Sequence, residues 1–323
     1  MFKKFMISLF AVLVSTVSLA DTNWKPSGPI QIIVPYAPGG STDSWGRVAA
    51  EILTANGWTS IVVNKPGADT TIASNLVATS NPDGTTLYLS GIGFLDANLA
   101  FKNKPEGIKY TEKSFTDIAP LGSGTLVLAV ANKLPVSNYK EFKTYVHNNP
   151  TEFNVGFFNQ YIANLFYVWA KKEGLPRPNI IMYKGSAPMD ADLIGGHINF
   201  AWDTYNTIAQ HQKANKVKVV AVLDIVGYDL VKKANPGEEF FSVSSKYPEL
   251  NMPIYYGVSG PAGMSKEVVA EINQVINQGL KNPKFTKSIS DMYIHVQGGT
   301  PDDLYREHAK LSKLFKTVAK EVE

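Results

Sequence analysis

Two adjacent glycines, two hydroxyl side chains and a carboxylate fall close together in Pro35-Tyr36-Ala37-Pro38-Gly39-Gly40-Ser41-Thr42-Asp43. Gly39 and Gly40 allow backbone N–H groups to converge, Ser41 and Thr42 add hydroxyl donors, and a helix starting here contributes about half a positive charge at its N-terminus. The chemistry this favours is non-covalent capture of a carboxylate or phosphate. An ordinary strand-to-helix turn uses the same residue types, so the stretch alone leaves both readings open. Asp43 suits a cap better than a ligand contact, because a carboxylate beside a bound anion repels it.

The elements around the stretch are legible from periodicity. Ile30 to Val34 is a short apolar strand between prolines at 29 and 35. Trp45, Val48, Ala49, Ile52 and Leu53 form an i, i+3, i+4, i+7, i+8 stripe that predicts an amphipathic helix ending at Asn56-Gly57. Strands are predicted at Ser60–Val63 and Thr86–Ser90 with a short helix between them. Strand and helix therefore alternate, the mark of a parallel sheet whose ligands gather at strand C-terminal ends. Leu126 to Val130 reads as a crossover into a second lobe, where alternation resumes with strands at Phe153–Phe157, Asn179–Met182 and Ile198–Trp202. Val217 to Leu223 reads as the returning crossover, and Gly227 to Pro253, rich in proline and glycine, as surface loop. A helix capped by Ser265 and a last helix opened by Thr300-Pro301 complete the first lobe. A lobe interrupted by another and then resumed is the layout of a hinged protein that closes on a ligand.

Composition removes several alternatives. Lys3 and Lys4, the apolar run from Phe5 to Val14 and small residues at 18 and 20 form a secretory leader, with cleavage expected after Ala20. No other stretch approaches the roughly 18 apolar residues of a membrane span, so a soluble mature chain is expected. Its net charge falls from +3 to +1 when the two leader lysines go. With three arginines (Arg47, Arg177, Arg306) and no basic run, nucleic-acid binding is not expected. The absence of cysteine excludes a lipoprotein anchor, disulfides and thiolate metal sites. The motifs G-x-S-x-G, H-E-x-x-H and the phosphate-binding Gly-Lys pair are absent, Gly91-Ile92-Gly93-Phe94-Leu95-Asp96 fails the dinucleotide pattern, and the five histidines are scattered. No metal, cofactor or catalysis is expected.

PYAPGGSTD at 35–43, NKPGA at 64–68, NPDGTTL at 81–87, YKGSAP at 183–188, GGHINFAWD at 195–203 and GGTPDDL at 298–304 together resemble the Bug family, the TctC-like periplasmic substrate-binding proteins of tripartite tricarboxylate transporters. The resemblance runs in order through nearly all of the mature chain. It implies an α/β Venus-flytrap protein of two lobes, each a mostly parallel sheet flanked by helices, with two crossover strands as hinge. Lobe boundaries of 21–124 with 226–323, and 125–225, follow. It also implies a monomer in the periplasm that binds a small carboxylate and delivers it to membrane permease subunits. A periplasmic sensor presenting its ligand to a receptor kinase would use the same pocket; an orphan hydrolase is a third possibility.

The ligand-binding set expected on this basis is Tyr36, Pro38, Gly39, Gly40, Ser41, Thr42, Asp43 and Ala68 from the first lobe. From the second come Phe157, Phe158, Asn159, Tyr183, Gly185, Ser186, Asp203 and Thr204, although Asp203 serves equally well as the cap of the next helix and Tyr183 as a core residue. With few guanidinium groups available, neutral donors must carry most of the anion binding. This chain departs from the family pattern at Asp69-Thr70, where glycine is usual after NKPGA, and at Phe157-Phe158-Asn159-Gln160-Tyr161, where a small Gly/Ser-rich loop is usual. Since side chains alternate along a strand, one of Phe157 and Phe158 is expected to face the cleft. That favours a compact or flat carboxylate, aromatic acids included, over citrate, with Asn159 orienting it.

Overall fold

The computed structural model describes residues 24–91, 98–100 and 106–322. The expected leader at 1–20 and most of the Gly91–Asp96 segment lie outside the described residues. The chain order begins β1 (Ile30–Val34), α1 (Ser41–Ala55), β2 (Ser60–Asn64), α2 (Thr71–Ala78), β3 (Thr86–Gly91), β4 (Phe115–Gly124) and β5 (Leu126–Ala131). It continues with α3 (Tyr139–Asn148), β6 (Asn154–Phe157), α4 (Gln160–Lys172), β7 (Asn179–Met182), α5 (Ser186–Gly195), β8 (Phe200–Thr204), α6 (Tyr205–Lys213) and β9 (Val217–Val222). It ends with α7 (Ile225–Ala234), β10 (Phe241–Ser242), α8 (Val243–Lys246), β11 (Ile254–Pro261), α9 (Lys266–Leu280), α10 (Pro283–Asp291), β12 (His295–Val296) and α11 (Pro301–Val322).

Two six-stranded sheets result, in the orders β12-β4-β11-β3-β1-β2 and β10-β9-β5-β8-β6-β7. In the first, β1 pairs in parallel with β2 and β3; in the second, β6 pairs in parallel with β7 and β8. Each sheet also holds one central strand that arrives from the other: β5 antiparallel to β8 and β9, and β11 antiparallel to β3 and β4. The direction follows from the connection. A strand entering from the opposite lobe starts at the cleft, beside the C-terminal ends of the parallel strands, and must run away from it. The fold is the two-lobed α/β architecture expected, with a mixed rather than purely parallel sheet in each lobe.

Two sequence readings are corrected. Val217 to Leu223 is not the return to the first sheet: β9 lies inside the second, between β5 and β10, and the return is made between Ser242 and Ile254. Nor is Gly227 to Pro253 all loop. Asp224 caps α7 by accepting from Gly227 N–H at 2.7 Å, and that helix packs on β9.

Local sequence explains the elements that frame the cleft. In β1 the isoleucines at 30, 32 and 33 and Val34 are buried while Gln31 faces out. The predicted stripe on α1 is the buried face, Trp45, Val48, Ala49, Ile52 and Leu53. In α4 an aromatic and aliphatic face of Phe166, Trp169 and Leu165 enters the core of the second sheet, where Trp169 stacks on Trp202 at 5.3 Å. The last helix, α11, lies against β4 of the first sheet and reaches α4 of the second lobe, where Phe315 meets Tyr161 at a ring separation of 3.9 Å. No helix among the described residues is long and apolar enough to cross a membrane.

Candidate ligand-binding cleft

The loop after β1 enters α1 through Gly39, whose φ of +94° lies in the left-handed region that favours glycine. Gly40 then forms the N-cap with extended backbone, φ −86°, and no side-chain cap. Asp43 shapes this loop from beneath. Its carboxylate accepts from Gly39 N–H at 3.0 Å, Arg47 Nε at 2.9 Å and Asn64 Nδ2 at 3.0 Å. Burial alone would raise its pKa, but these hydrogen bonds outweigh that effect and hold it below the usual carboxylate value. Asp43 is thus a scaffold residue, and Arg47, the one arginine of α1, is engaged by it.

In the second lobe the matching element is α5, again started by an uncapped glycine. Gly185 has φ +153°, and a Cβ there would come within 3.1 Å of Ala37 N. The two helix starts face each other: a Cβ on Gly39 would meet Ala187 Cβ at 3.4 Å, and one on Gly40 would meet Ser186 Cβ at 3.5 Å. The lobes touch here through Ala37 N–H donating to Lys184 O at 3.0 Å, Ser41 Oγ against Thr204 Oγ1 at 2.6 Å, and Ser41 Oγ donating to Asn206 Oδ1.

A cavity lies at this junction. Its polar wall is Gly40, Ser41, Thr42, Ser186 and Thr204; its apolar wall is Tyr36, Phe158, Ile254 and Tyr256. The enclosed space is about 10 Å³, on the order of one water, so a larger guest requires the lobes to part. No residue of either wall carries a formal charge. The polar wall instead presents the starts of α1 and α5, and Thr204, the N-cap of α6, which also makes no side-chain cap. Each start carries a partial positive charge and N–H groups outside the helical pattern. A larger hollow, about 750 Å³, opens between β4 and α11 and is lined by Lys113, Lys313, Lys316 and Lys320 among others. It shares no lining residue with the cavity above, and its lysines are exposed surface groups.

Several expected residues sit elsewhere. Phe157 is fully buried and packs on Phe166 at 5.3 Å, so it belongs to the core of the second sheet. Phe158, one position on, faces the cleft, its ring perpendicular to that of Tyr36 at 5.6 Å. Alternation along the strand separates the two. Asp203 is fully buried behind the wall and does not face the cavity. Its oxygens accept from Ser186 Oγ at 2.7 Å, Thr204 N–H at 2.6 Å and Thr207 Oγ1 at 2.9 Å, which positions Ser186 and Thr204. Burial first, then the neighbouring Asp203 charge, push the Asp190 carboxyl up. Tyr183 directs its hydroxyl away to Asp192 at 2.7 Å. Pro38 and Ala68 are exposed beside the cavity loops rather than part of its lining.

Asn159 is also committed within the chain. Its Oδ1 caps α4 by accepting from Tyr161 N–H and Ile162 N–H at 2.9 and 3.4 Å, while its Nδ2 donates to Asp69 Oδ1 at 2.9 Å across the lobes. Three contributors escaped sequence reasoning, Ile254 and Tyr256 of β11 and Asn206; Asp69 stood out as a departure from the family pattern, but its contact with Asn159 did not. The first two lie at the start of an antiparallel strand, whereas the ligand rule for parallel sheets points to strand C-terminal ends. The Tyr-Tyr pair after Pro253 was the available signal.

A UPF0065 protein of Bordetella bronchiseptica is 29% identical over 316 residues, covering 95% of this chain and 90% of the relative. Among solved structures, one described as a periplasmic transporter has a TM-score of 0.82 at 27% identity, covering 92% of this chain and 98% of its own. The periplasmic binding protein BugD has a TM-score of 0.78 at 26% identity, covering 91% and 98%. Two more distant chains of Rhodopseudomonas palustris share the fold: MatC with bound malate, at TM-score 0.76 and 21% identity over 90% of this chain and 100% of its own, and a protein solved with adipate, at 0.78 and 23% over 91% and 98%. Residues 46–322 match the model of the tripartite tricarboxylate transporter family receptor, and the chain belongs to that family as a TctC- and Bug-like periplasmic binding protein.

Proposed function

We propose that this protein captures a small carboxylate in the periplasm and delivers it to the membrane permease subunits of a tripartite tricarboxylate-type transporter, without chemistry of its own. The observation that carries the reading is the pair of glycine-started, side-chain-uncapped helices, α1 and α5, opposed across one cavity. Neutral N–H groups and hydroxyls there can receive an anion without the desolvation cost of burying a lysine or arginine partner. Relatives of the same fold solved with malate and adipate support the carboxylate class. The working form is taken to be a monomer lacking residues 1–20, with lobes at 21–124 plus 226–323 and at 125–225. The sheet pairing of β10 favours extending the second lobe past residue 225.

Capture and delivery are tested separately. Refolded protein, freed of co-purified ligand, is screened by thermal shift against mono-, di- and tricarboxylates. A saturable rise in melting temperature with unaltered ligand supports a binder, whereas turnover of any acid would overturn it. Delivery predicts that uptake of the same acid by cells stops when the gene is deleted and returns with the parent chain but not with Gly40→Val. Uptake that persists in the deletion strain would contradict the transport role.

A further inference from the structure

The starts of α1 and α5 are open to a guest, but that of α4, at the same junction, is not. Asp69 of the first lobe reaches across and accepts from Gln160 N–H at 3.3 Å and from Asn159 Nδ2 at 2.9 Å. Asn159 in turn closes the next two N–H groups of the helix. The loop that carries Asp69 is held in an unusual shape, with φ of 46°, 46° and 73° at Ala68, Asp69 and Thr70, and Asn98 Nδ2 fixes the Asp69 carbonyl at 2.5 Å. Three successive left-handed non-glycine residues cost energy that the surrounding contacts must offset. Asn159 follows directly on Phe158, whose ring forms the cavity wall with Tyr36. The Asp69 carboxylate therefore sits at the α4 start, bonded to the residue that follows the aromatic wall, where the helix dipole favours an anion.

We propose that Asp69 is a specificity residue: a resident carboxylate that occupies the place of a ligand's distal carboxylate, so that the cleft selects acids with one carboxylate and an uncharged, apolar body. The inference rests on the carboxylate-binding reading above. A diacid would bring its second charge toward an α4 start already neutralised, beside a like charge in a poorly solvated setting, and with Tyr36 and Phe158 in place of donors. A monoacid meets apolar surface there and loses nothing. Burial raises the Asp69 carboxyl to about 6, which still leaves it ionised at neutral pH.

The test is calorimetry at pH 7.5 on the mature chain with matched pairs, hexanoate against adipate and benzoate against terephthalate. For the parent, each monoacid is expected to bind at least tenfold more tightly than its diacid. In Asp69→Asn, which keeps the size but not the charge, and in Asp69→Gly, which opens the α4 start, the ratio should shift at least fivefold toward the diacid. A parent that prefers the diacids, or a ratio unchanged in both folded variants, overturns the specificity role while leaving carboxylate capture intact. Binding of none of the four acids, nor of any other carboxylate, to the parent would sink the underlying reading as well.

Discussion

Two sets of helix starts in this protein stand in contrast. At α3, α7 and α9 the side chains of Asn138, Asp224 and Ser265 accept from the first-turn N–H groups of Glu141, Gly227 and Val268 at 3.0, 2.7 and 3.3 Å. At α1 and α5 the N-cap is glycine and no side chain closes the turn. The backbone dipole is the same in both groups; what differs is whether the chain satisfies its own donors. Where it does, the helix start contributes to stability. Where it does not, and two such starts face one cavity, the donors are, on the function proposed above, kept for a carboxylate. The start of α4 stands between the groups, closed by Asn159 of its own lobe and Asp69 of the other.

That contrast predicts which substitutions cost stability and which cost affinity. The largest effect is expected at Phe157 and Phe158. Phe157→Ala empties core volume and should lower unfolding free energy by about 3–5 kcal/mol, leaving carboxylate affinity per folded molecule nearly unchanged. Phe158→Ala should do the reverse, weakening an apolar or aromatic acid about tenfold with a smaller loss of stability. Denaturant unfolding beside calorimetry separates them, and equal stability losses would blur the distinction.

Gly40→Val comes next. The φ of −86° accommodates any residue, and a Cβ would make ordinary contact with Ser186 at 3.5 Å, so the backbone conformation is not what requires glycine at 40. The added methyl groups would instead wedge the two helix starts apart. Carboxylate affinity should fall about a hundredfold, roughly 2.7 kcal/mol, with the melting temperature within a few degrees of the parent. Normal affinity would mean that the opposed starts are not the site.

A buried charge that the chain satisfies internally gives the counterexample. Glu173 accepts from Lys143 Nζ at 2.9 Å and Lys246 Nζ at 2.7 Å. Burial would raise its pKa, yet the hydrogen bonds from Lys246 and Lys143 outweigh it and bring the value to about 2. A depressed carboxyl stabilises the fold above its unfolded value near 4.5, and that contribution is lost as pH falls from there toward 2. Glu173→Gln should cost about 2 kcal/mol at neutral pH and flatten the stability loss across that acid range, with ligand affinity unchanged. The smallest effect is assigned to Ser265→Ala, a lost cap costing about 1 kcal/mol, again without change in affinity; Ser41→Ala should show the opposite pattern.

The extent to which these features could be read from sequence depended on their reach. The strand, glycine turn and stripe from Ile30 to Leu53 are local and periodic, and they fold as the pattern implies. The alternation rule foresaw that only one of two adjacent phenylalanines would face the cleft, but not which one, because strand register is fixed by pairing with Asn179–Met182. Asp203 stays open between ligand contact and helix cap in the sequence for a related reason: a polar residue at the end of a central strand looks available, and only the packing of α5 and α6 shows its oxygens consumed by Ser186, Thr204 and Thr207. Ile254, Tyr256 and Asp69 depend on strand direction and on contact between residues some ninety positions apart, as in the Asp69–Asn159 bond. No local pattern encodes either.

The central claim, that the uncapped starts of α1 and α5 receive a carboxylate, is tested most directly by following backbone amide resonances of the ¹⁵N-labelled mature protein during titration with hexanoate. The account predicts saturable downfield proton shifts at Ser41, Thr42 and Ser186, with the Val268 amide of the capped α9 unmoved. Shifts confined to the lysine-lined hollow around Lys313 and Lys316, with the three cleft amides silent at saturation, would contradict it.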